Sequence, residues 1–203
     1  MQERPTPPAR GPITADTLVV AAARLFRQRG YAATTTRQLS EVVGLQRASL
    51  YHHIRTKEDL LFEICVRSLN NIISAVRASV GDAAHPDRLP ALIDTHLQLA
   101  LQDQDMHATM LIELNQLSPT RRATIVAMRS EYETIIRDEI RAGQKARRLR
   151  QDLSARHLTL ALLNLLNWTI FWYREDSAET PRELAQMLTT LYLHGAAAAG
   201  VDS

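Results

Sequence analysis

An all-α fold is what this sequence predicts, from three observations. Apolar residues recur at three- and four-residue spacing along almost the whole chain, no stretch sustains the alternation of a half-buried strand, and Gly30, Gly44, Gly81, Gly143 and Gly195 fall where the periodic segments end. About nine helices are expected, arranged as an N-terminal three-helix helix-turn-helix unit and a larger C-terminal helical unit.

Each element has its own signal. Pro5, Pro7, Pro8 and Pro12 leave residues 1–13 too broken and too poor in apolar groups to pack, so a disordered tail is expected there. The first helix runs from Thr14 to Arg29 on a stripe of Leu18, Ala22, Leu25 and Phe26. Two short helices follow, Thr36 to Val43 and Arg47 to His53. A long fourth begins after Thr56 and carries Leu61, Ile64, Leu69, Ile72, Val76 and Val80 on one side. The fifth follows Pro86, the sixth spans Asp105 to Gln116, and the seventh starts after Ser118 on Ile125, Met128, Tyr132, Ile136 and Ile140. The eighth holds the apolar run 157–173, and the ninth, after Thr180 and Pro181, stacks Leu184, Met187, Leu188 and Leu191.

Composition narrows the class. With 203 residues, 45% of them hydrophobic and 23% charged, the chain can bury a core, which excludes disorder throughout. The net charge of +2 is too small to name a nucleic-acid partner, but its distribution is uneven. Residues 1–60 hold 9 basic and 5 acidic side chains, against 15 and 17 in the remainder. The run HLTLALLNLLNWTIFWY is shorter than the roughly 20 residues of a membrane span and carries Asn164 and Asn167, so it reads as a buried helix. One cysteine, Cys65, and no apolar leader point to a cytoplasmic protein.

The stretch Thr34 to Leu60 carries the chemistry. Thr35 followed by Gln38 makes a capping box, Leu39, Val42 and Val43 give the second helix its buried side, and Gly44 permits a sharp turn. Beyond the turn, Gln46, Arg47, Ser49, Tyr51, His52 and His53 point outward, with Arg55 and Lys57 after them and no acid until Glu58. A helix about 10 Å wide fits the major groove, where arginine donates twice to guanine, while lysine, tyrosine and helix N-termini suit phosphate oxygens.

On these residues the first sixty positions resemble the TetR family of transcriptional regulators: AAARLFRQRGYAATT is similar to its first helix and turn, and GLQRASLYHHIRTKEDL to its recognition helix and the lead into the next. The resemblance implies an all-helical homodimer that grips palindromic double-stranded operator DNA and responds to a small ligand held in the C-terminal unit. Carried onto this sequence, it puts Tyr51 and Lys57 on phosphates with Thr35 near the backbone. Arg47, Ser49 and His52 fall at base edges, Thr36 and Arg37 near the groove wall. Three positions depart from the pattern: Ser40 stands for an alanine, Ile54 for a phenylalanine, and Gln46 for a serine or threonine. Glutamine caps helices poorly, so Gln46 is expected to read DNA instead. The DNA-binding unit is placed at residues 14–57, the ligand-binding and dimerisation unit at 58–203.

The C-terminal unit is less explicit. Its eighth helix is apolar around most of its circumference, so a second subunit is expected to cover one side, with Leu162, Leu166, Phe171, Leu188, Leu191 and Tyr192 in an isologous four-helix interface. Polar groups on apolar faces, namely His96, His107, Glu113, Asn115, Asn164, Asn167 and Trp168, are the candidate effector contacts. Asp103 to Asp105 suggest a break between the two histidines, so no metal site is expected, nor any other cofactor. The basic run from Arg141 to Arg150 reads as the solvated end of a helix, and Cys65 as a core residue. The stretch NWTIFWYREDSAETPRELAQMLTTLYLHG resembles the C-terminal end of a TetR subgroup that governs lipid and steroid breakdown and responds to acyl-CoA thioesters. The expectation is therefore a ligand-responsive repressor, relieved by an acyl-CoA or another hydrophobic effector. The alternatives are a helical small-molecule-binding protein and a multidrug-type regulator with a different apolar effector. With no nucleophile elbow, phosphate loop, metal-ligand spacing or paired carboxylate, an enzyme is not expected.

Overall fold

The computed structural model describes residues 14–44, 54–82 and 88–196, and within them the chain forms eight α-helices and no β-strand. The helix expected over 47–53 and the tail over 1–13 lie outside the described residues. Helix α1 (Ala15–Arg29) begins at Thr14, whose hydroxyl accepts the Thr17 N–H, and buries Leu18, Ala22, Leu25 and Phe26 as the stripe predicts. Helix α2 (Thr36–Val43) starts in the expected capping box: Gln38 donates its N–H to the Thr35 hydroxyl at 3.2 Å and accepts the Thr35 N–H at 2.8 Å. It ends at Gly44, whose φ of 73° and ψ of 27° are left-handed, a conformation that costs a β-carbon about 1 kcal/mol.

Helix α3 (Lys57–Asp82) has its own reciprocal cap, with Asp59 N–H on the Thr56 hydroxyl at 3.1 Å and Thr56 N–H on the Asp59 carboxylate at 2.7 Å. Next come α4 (Arg88–Gln102) and α5 (Gln104–Ile112), separated by the break expected at Asp103. The helix expected as far as Gln116 ends early and finishes as a short 3₁₀ turn, Leu114–Gln116, after Glu113, whose carboxylate accepts the Tyr31 N–H. Then α6 (Pro119–Lys145), α7 (Ala155–Trp172) and α8 (Pro181–Ala196) complete the order. Ser154 caps α7, and Thr180 with Glu183 makes a third capping box at α8.

α3 joins the two ends of the molecule: it packs against α1 on one side and against α4, α5 and α6 along the rest of its length. α4 is the centre of the C-terminal half, touching α3, α6, α7 and α8. After α6 the chain doubles back through Arg147, whose φ is 58°, and lays Leu149 on Gly143 so closely that a β-carbon there would sit 2.8 Å from Leu149 Cδ1. One continuous core results, with Phe26, Leu39, Leu61, Ile64, Leu97 and Ile125 among its fully buried members. Cys65 belongs to it, and burial pushes its thiol pKa up to about 12, so it is a packing residue. The basic run stands at the end of α6 and beyond it, where Arg141 pairs with Asp138 and Arg150 with Asp152.

Candidate functional site

Two regions carry the candidate residues. In the N-terminal one, Thr35 and Thr36 open α2, and Arg37 is exposed, donating from Nε to Glu41 at 2.8 Å. Ser40, the small departure noted above, is buried and satisfied by donating to the Arg37 carbonyl at 2.7 Å. Gln46, Arg47, Ser49, Tyr51 and His52 lie outside the described residues. Lys57 is placed differently from the free phosphate ligand the resemblance implies. Its ammonium donates to the carbonyls of Tyr31 at 2.7 Å and Thr34 at 2.8 Å and stands 4.1 Å from the centre of the Tyr31 ring. Two of its three protons are thus taken up in closing the turn between α1 and α2, and partial burial lowers its pKa. Sequence reasoning had no signal for this, because the partners are backbone carbonyls far away in the chain.

The second region is a cavity of about 340 Å³ lined by α3 to α7 and open on one side, at the lower end of the roughly 300–1,000 Å³ usual for small-molecule sites. Leu69, Ile72, Met110 and Leu160 give it an apolar wall, and His96, His107, Asn164 and Asn167, four of the seven predicted contacts, line it. The other three do not. Glu113 accepts the Tyr31 N–H at 2.9 Å, Asn115 is exposed beyond α5, and Trp168 faces outward, 66% exposed and packed on Phe171. The helix break at Asp103 does not keep the histidines apart: it turns α5 so that the His96 and His107 rings meet edge to face with centroids 5.5 Å apart. Among the described residues no cluster of three or more His, Cys, Asp or Glu could hold a metal ion.

Both histidines are neutral. His96 Nδ1 is 2.7 Å from the Tyr132 hydroxyl, while His107 Nδ1 is 3.3 Å from Ser68 Oγ and its Nε2 is 3.2 Å from Asn167 Oδ1. Burial, with the neighbouring His107, drives the His96 pKa well below its ordinary 6.5; burial lowers that of His107 to about 4. Sequence reasoning missed Tyr132, placed in the core by its periodicity, and Arg129 and Ser130, which line the outer cavity from α6.

The cavity and the N-terminal helices are joined by α5. One side of this helix lines the cavity with His107, Met110 and Leu111. The other grips α1: the Thr109 hydroxyl donates to the Ala23 carbonyl at 3.1 Å, and Asp105 accepts from Arg27 at 3.0 Å. A second clasp ties the start of α6 to the start of α3, where Arg121 pairs with Asp59, and Glu58 accepts the Ser118 N–H at 3.0 Å. Two sets of contacts therefore tie the cavity helices to the N-terminal end, one from α5 to α1 and one from α6 to α3.

Of the residues expected at a dimer interface, Leu162 and Leu166 are fully buried within the chain itself, and Leu188 and Tyr192 nearly so, the latter donating its hydroxyl to the Leu158 carbonyl at 3.0 Å. Their burial needs no second subunit. Phe171 and Leu191 are exposed, as are Trp168, Trp172 and Met187, so α7 and α8 each leave an apolar arc uncovered.

Comparison with known proteins places these features in context. A family profile described as "Bacterial regulatory proteins, tetR family" matches residues 18–64, and one described as "Tetracyclin repressor-like, C-terminal domain" matches residues 82–196. The chain is 27% identical to the transcriptional repressor KstR2 of Rhodococcus jostii (strain RHA1) over 183 residues, 89% of each chain. Among solved structures it is similar to the regulator PfmR of Thermus thermophilus, with a TM-score of 0.81 and 29% identity over 92% of this chain and 99% of that one. It also shares the fold of AibR, solved with isovaleryl coenzyme A and operator DNA, with a TM-score of 0.79 and 24% identity over 87% of this chain and 96% of that one.

Proposed function

The chain belongs to the TetR family of bacterial regulatory proteins, and from that premise we propose that it is a homodimeric repressor whose hold on operator DNA is released when an acyl-CoA thioester enters the cavity of α3 to α7. Residues 14–57 form the unit that reads DNA, and residues 58–203 the unit that binds effector and partner. Thr35, Thr36, Arg37, Gln46, Arg47, Ser49, Tyr51 and His52 are the DNA contacts we assign; Lys57 keeps one proton for a phosphate. The exposed apolar faces of α7 and α8, with Trp168, Phe171, Trp172, Met187 and Leu191, seat the second subunit. Its place of work is the cytoplasm, where operator DNA lies.

The observation that carries the proposal is the double duty of α5, which lines the cavity with one side and holds α1 with the other. A ligand that prefers one setting of α5 alters the setting of the heads, and such coupling is commonly about 1–3 kcal/mol, or about 5- to 150-fold in operator affinity. The AibR complex, with an acyl-CoA and DNA on the same fold, supports the choice of effector class. The test is a fluorescence-anisotropy titration on a duplex selected by the protein from a random pool. Affinity is expected to fall with salt at a log–log slope of about −0.9 per phosphate neutralised, and a flat response would end the DNA reading. Isovaleryl-CoA and acetoacetyl-CoA, the second with a carbonyl in its acyl end, are then added, with free CoA as control. Release by a thioester but not by CoA is expected; no release by either thioester removes the acyl-CoA assignment.

A further inference from the structure

The polar side chains of the cavity wall are organised as two short relays. In the first, Tyr132 and His96 share one hydrogen bond through His96 Nδ1, and Tyr132 is almost fully buried with no other partner for its hydroxyl among the described residues. Were the imidazole the donor, the phenolic proton and the Nε2 lone pair would both be left unmet. With the phenol donating, only an Nε2–H is unmet, which is the less costly arrangement. His96 Nε2 is a buried atom with no hydrogen-bond partner among the described residues.

In the second relay the Asn167 oxygen, 3.2 Å from His107 Nε2, can only accept, so His107 also carries its proton on Nε2 and takes the Ser68 hydroxyl proton on Nδ1. The relay runs from Ser68 through His107 to Asn167 and leaves the Asn167 amide N–H groups without a partner among the described residues, on the same wall. The one carboxylate on that wall, Glu133, is already held by Arg137 at 3.1 Å. What the two relays leave unused is a pair of N–H donors.

We propose that the buried end of the effector carries an oxygen acceptor, in the simplest case a carbonyl, and that His96 Nε2–H and the Asn167 amide are the donors that select it, with His107 a positioning residue for Asn167. The inference rests on reading this cavity as the effector site. An apolar end displaces any water from the wall and strands the donors, at about tenfold in affinity for each. A carbonyl there meets them both. The wall closes over His96, which is 1% exposed, so a ligand that reaches Nε2 displaces part of that wall; the His107 ring packs edge to face on His96, and α5, which bears His107, is the helix that holds α1. Recognition of the oxygen and movement of the head become one event.

Two bicyclic probes of the same shape, tetralin and 2-tetralone, differ by a single carbonyl and test this on the full-length protein. In a purely apolar cavity tetralin binds tighter, because the ketone has water to lose. Here 2-tetralone is expected to bind at least as tightly as tetralin, and His96→Phe and Asn167→Leu are each expected to move the ratio toward tetralin about fivefold or more. Long-range ¹H–¹⁵N spectra of the histidines supply a readout independent of the variants' folding. Both rings are expected as Nε2–H tautomers, with the His96 Nε2 resonance moved by 2-tetralone and not by tetralin. A wild-type preference of about tenfold or more for tetralin, a ratio unchanged in both variants, binding of neither probe, or an Nδ1–H tautomer at His96 would overturn the proposal. Neither probe contains CoA, so a failed thioester release with a ketone preference retained would sink the effector class alone.

Discussion

Lys57 illustrates how one side chain can be reassigned by its surroundings. Its ammonium satisfies two turn carbonyls and stacks on Tyr31, which itself meets Phe26 edge to face at 5.1 Å. Lys57→Met removes both hydrogen bonds and is expected to lower stability by about 2 kcal/mol, read as the shift of a urea midpoint. The buried histidines set a pH dependence. An unfolded histidine takes its proton near 6.5, whereas His107 in the folded chain takes it only near 4, so between those values the unfolded state binds more protons. Stability is therefore complete above about pH 6.5 and falls as pH drops toward 4, by about 1.4 kcal/mol per unit for each histidine so held. His96 shifts in the same direction. Glu58 and Asp59 are held below their ordinary range, Glu58 chiefly by hydrogen bonds from Ser118 and Asp59 by Arg121 against the opposing cost of burial, so their contribution is lost only at still lower pH. Urea midpoints at pH 7 and pH 5 are expected to differ in the wild type and to converge in a His96→Leu, His107→Leu double variant.

Helices α5 and α6 show what their neighbours demand of them. α6 ends against Leu149, and Gly143→Ala forces a β-carbon into that side chain, with an expected cost of about 1–3 kcal/mol visible in thermal melts. α5 is nine residues long, with no side-chain hydrogen bond at its N-cap, so packing rather than intrinsic propensity keeps it helical. A helix held that way is well suited to be moved. Thr109→Val removes its hydrogen bond to α1 at nearly constant volume. The variant is expected to bind effector as the wild type does while operator release shrinks several-fold, measured by parallel titrations of ligand and DNA. Equal release in both proteins would show that the α3–α6 clasp alone transmits the signal.

For the dimer proposed above, the surface that matters is the one that α7 and α8 leave uncovered. A palindromic operator engages two heads at a fixed separation, and joining them converts the second contact into an intramolecular one. Placing charge on that surface with Trp168→Asp and Leu191→Asp is expected to yield folded monomers in sedimentation equilibrium, with operator affinity reduced by an order of magnitude or more. A variant that stays dimeric would move the interface elsewhere.

The capping box at Thr35, the helix start after Thr56, the turn at Gly44 and the start of α8 at Pro181 were all legible in the residues, because each depends on groups within four positions of one another. So was the place of Cys65 in the core, on the apolar stripe of its helix. What reading along the chain did not supply was the use to which distant groups are put: Lys57 closing a turn, Tyr132 reaching His96, Glu113 leaving the cavity for the Tyr31 N–H. Periodicity located the apolar arcs of α7, yet it marked Leu162 and Leu166 for a partner when they belong to the chain's own core, and left Trp168 in the cavity when it faces out. A helical repeat says which side chains share a face. Which neighbour that face meets is set by how the helices pack all at once, and that packing is long-range.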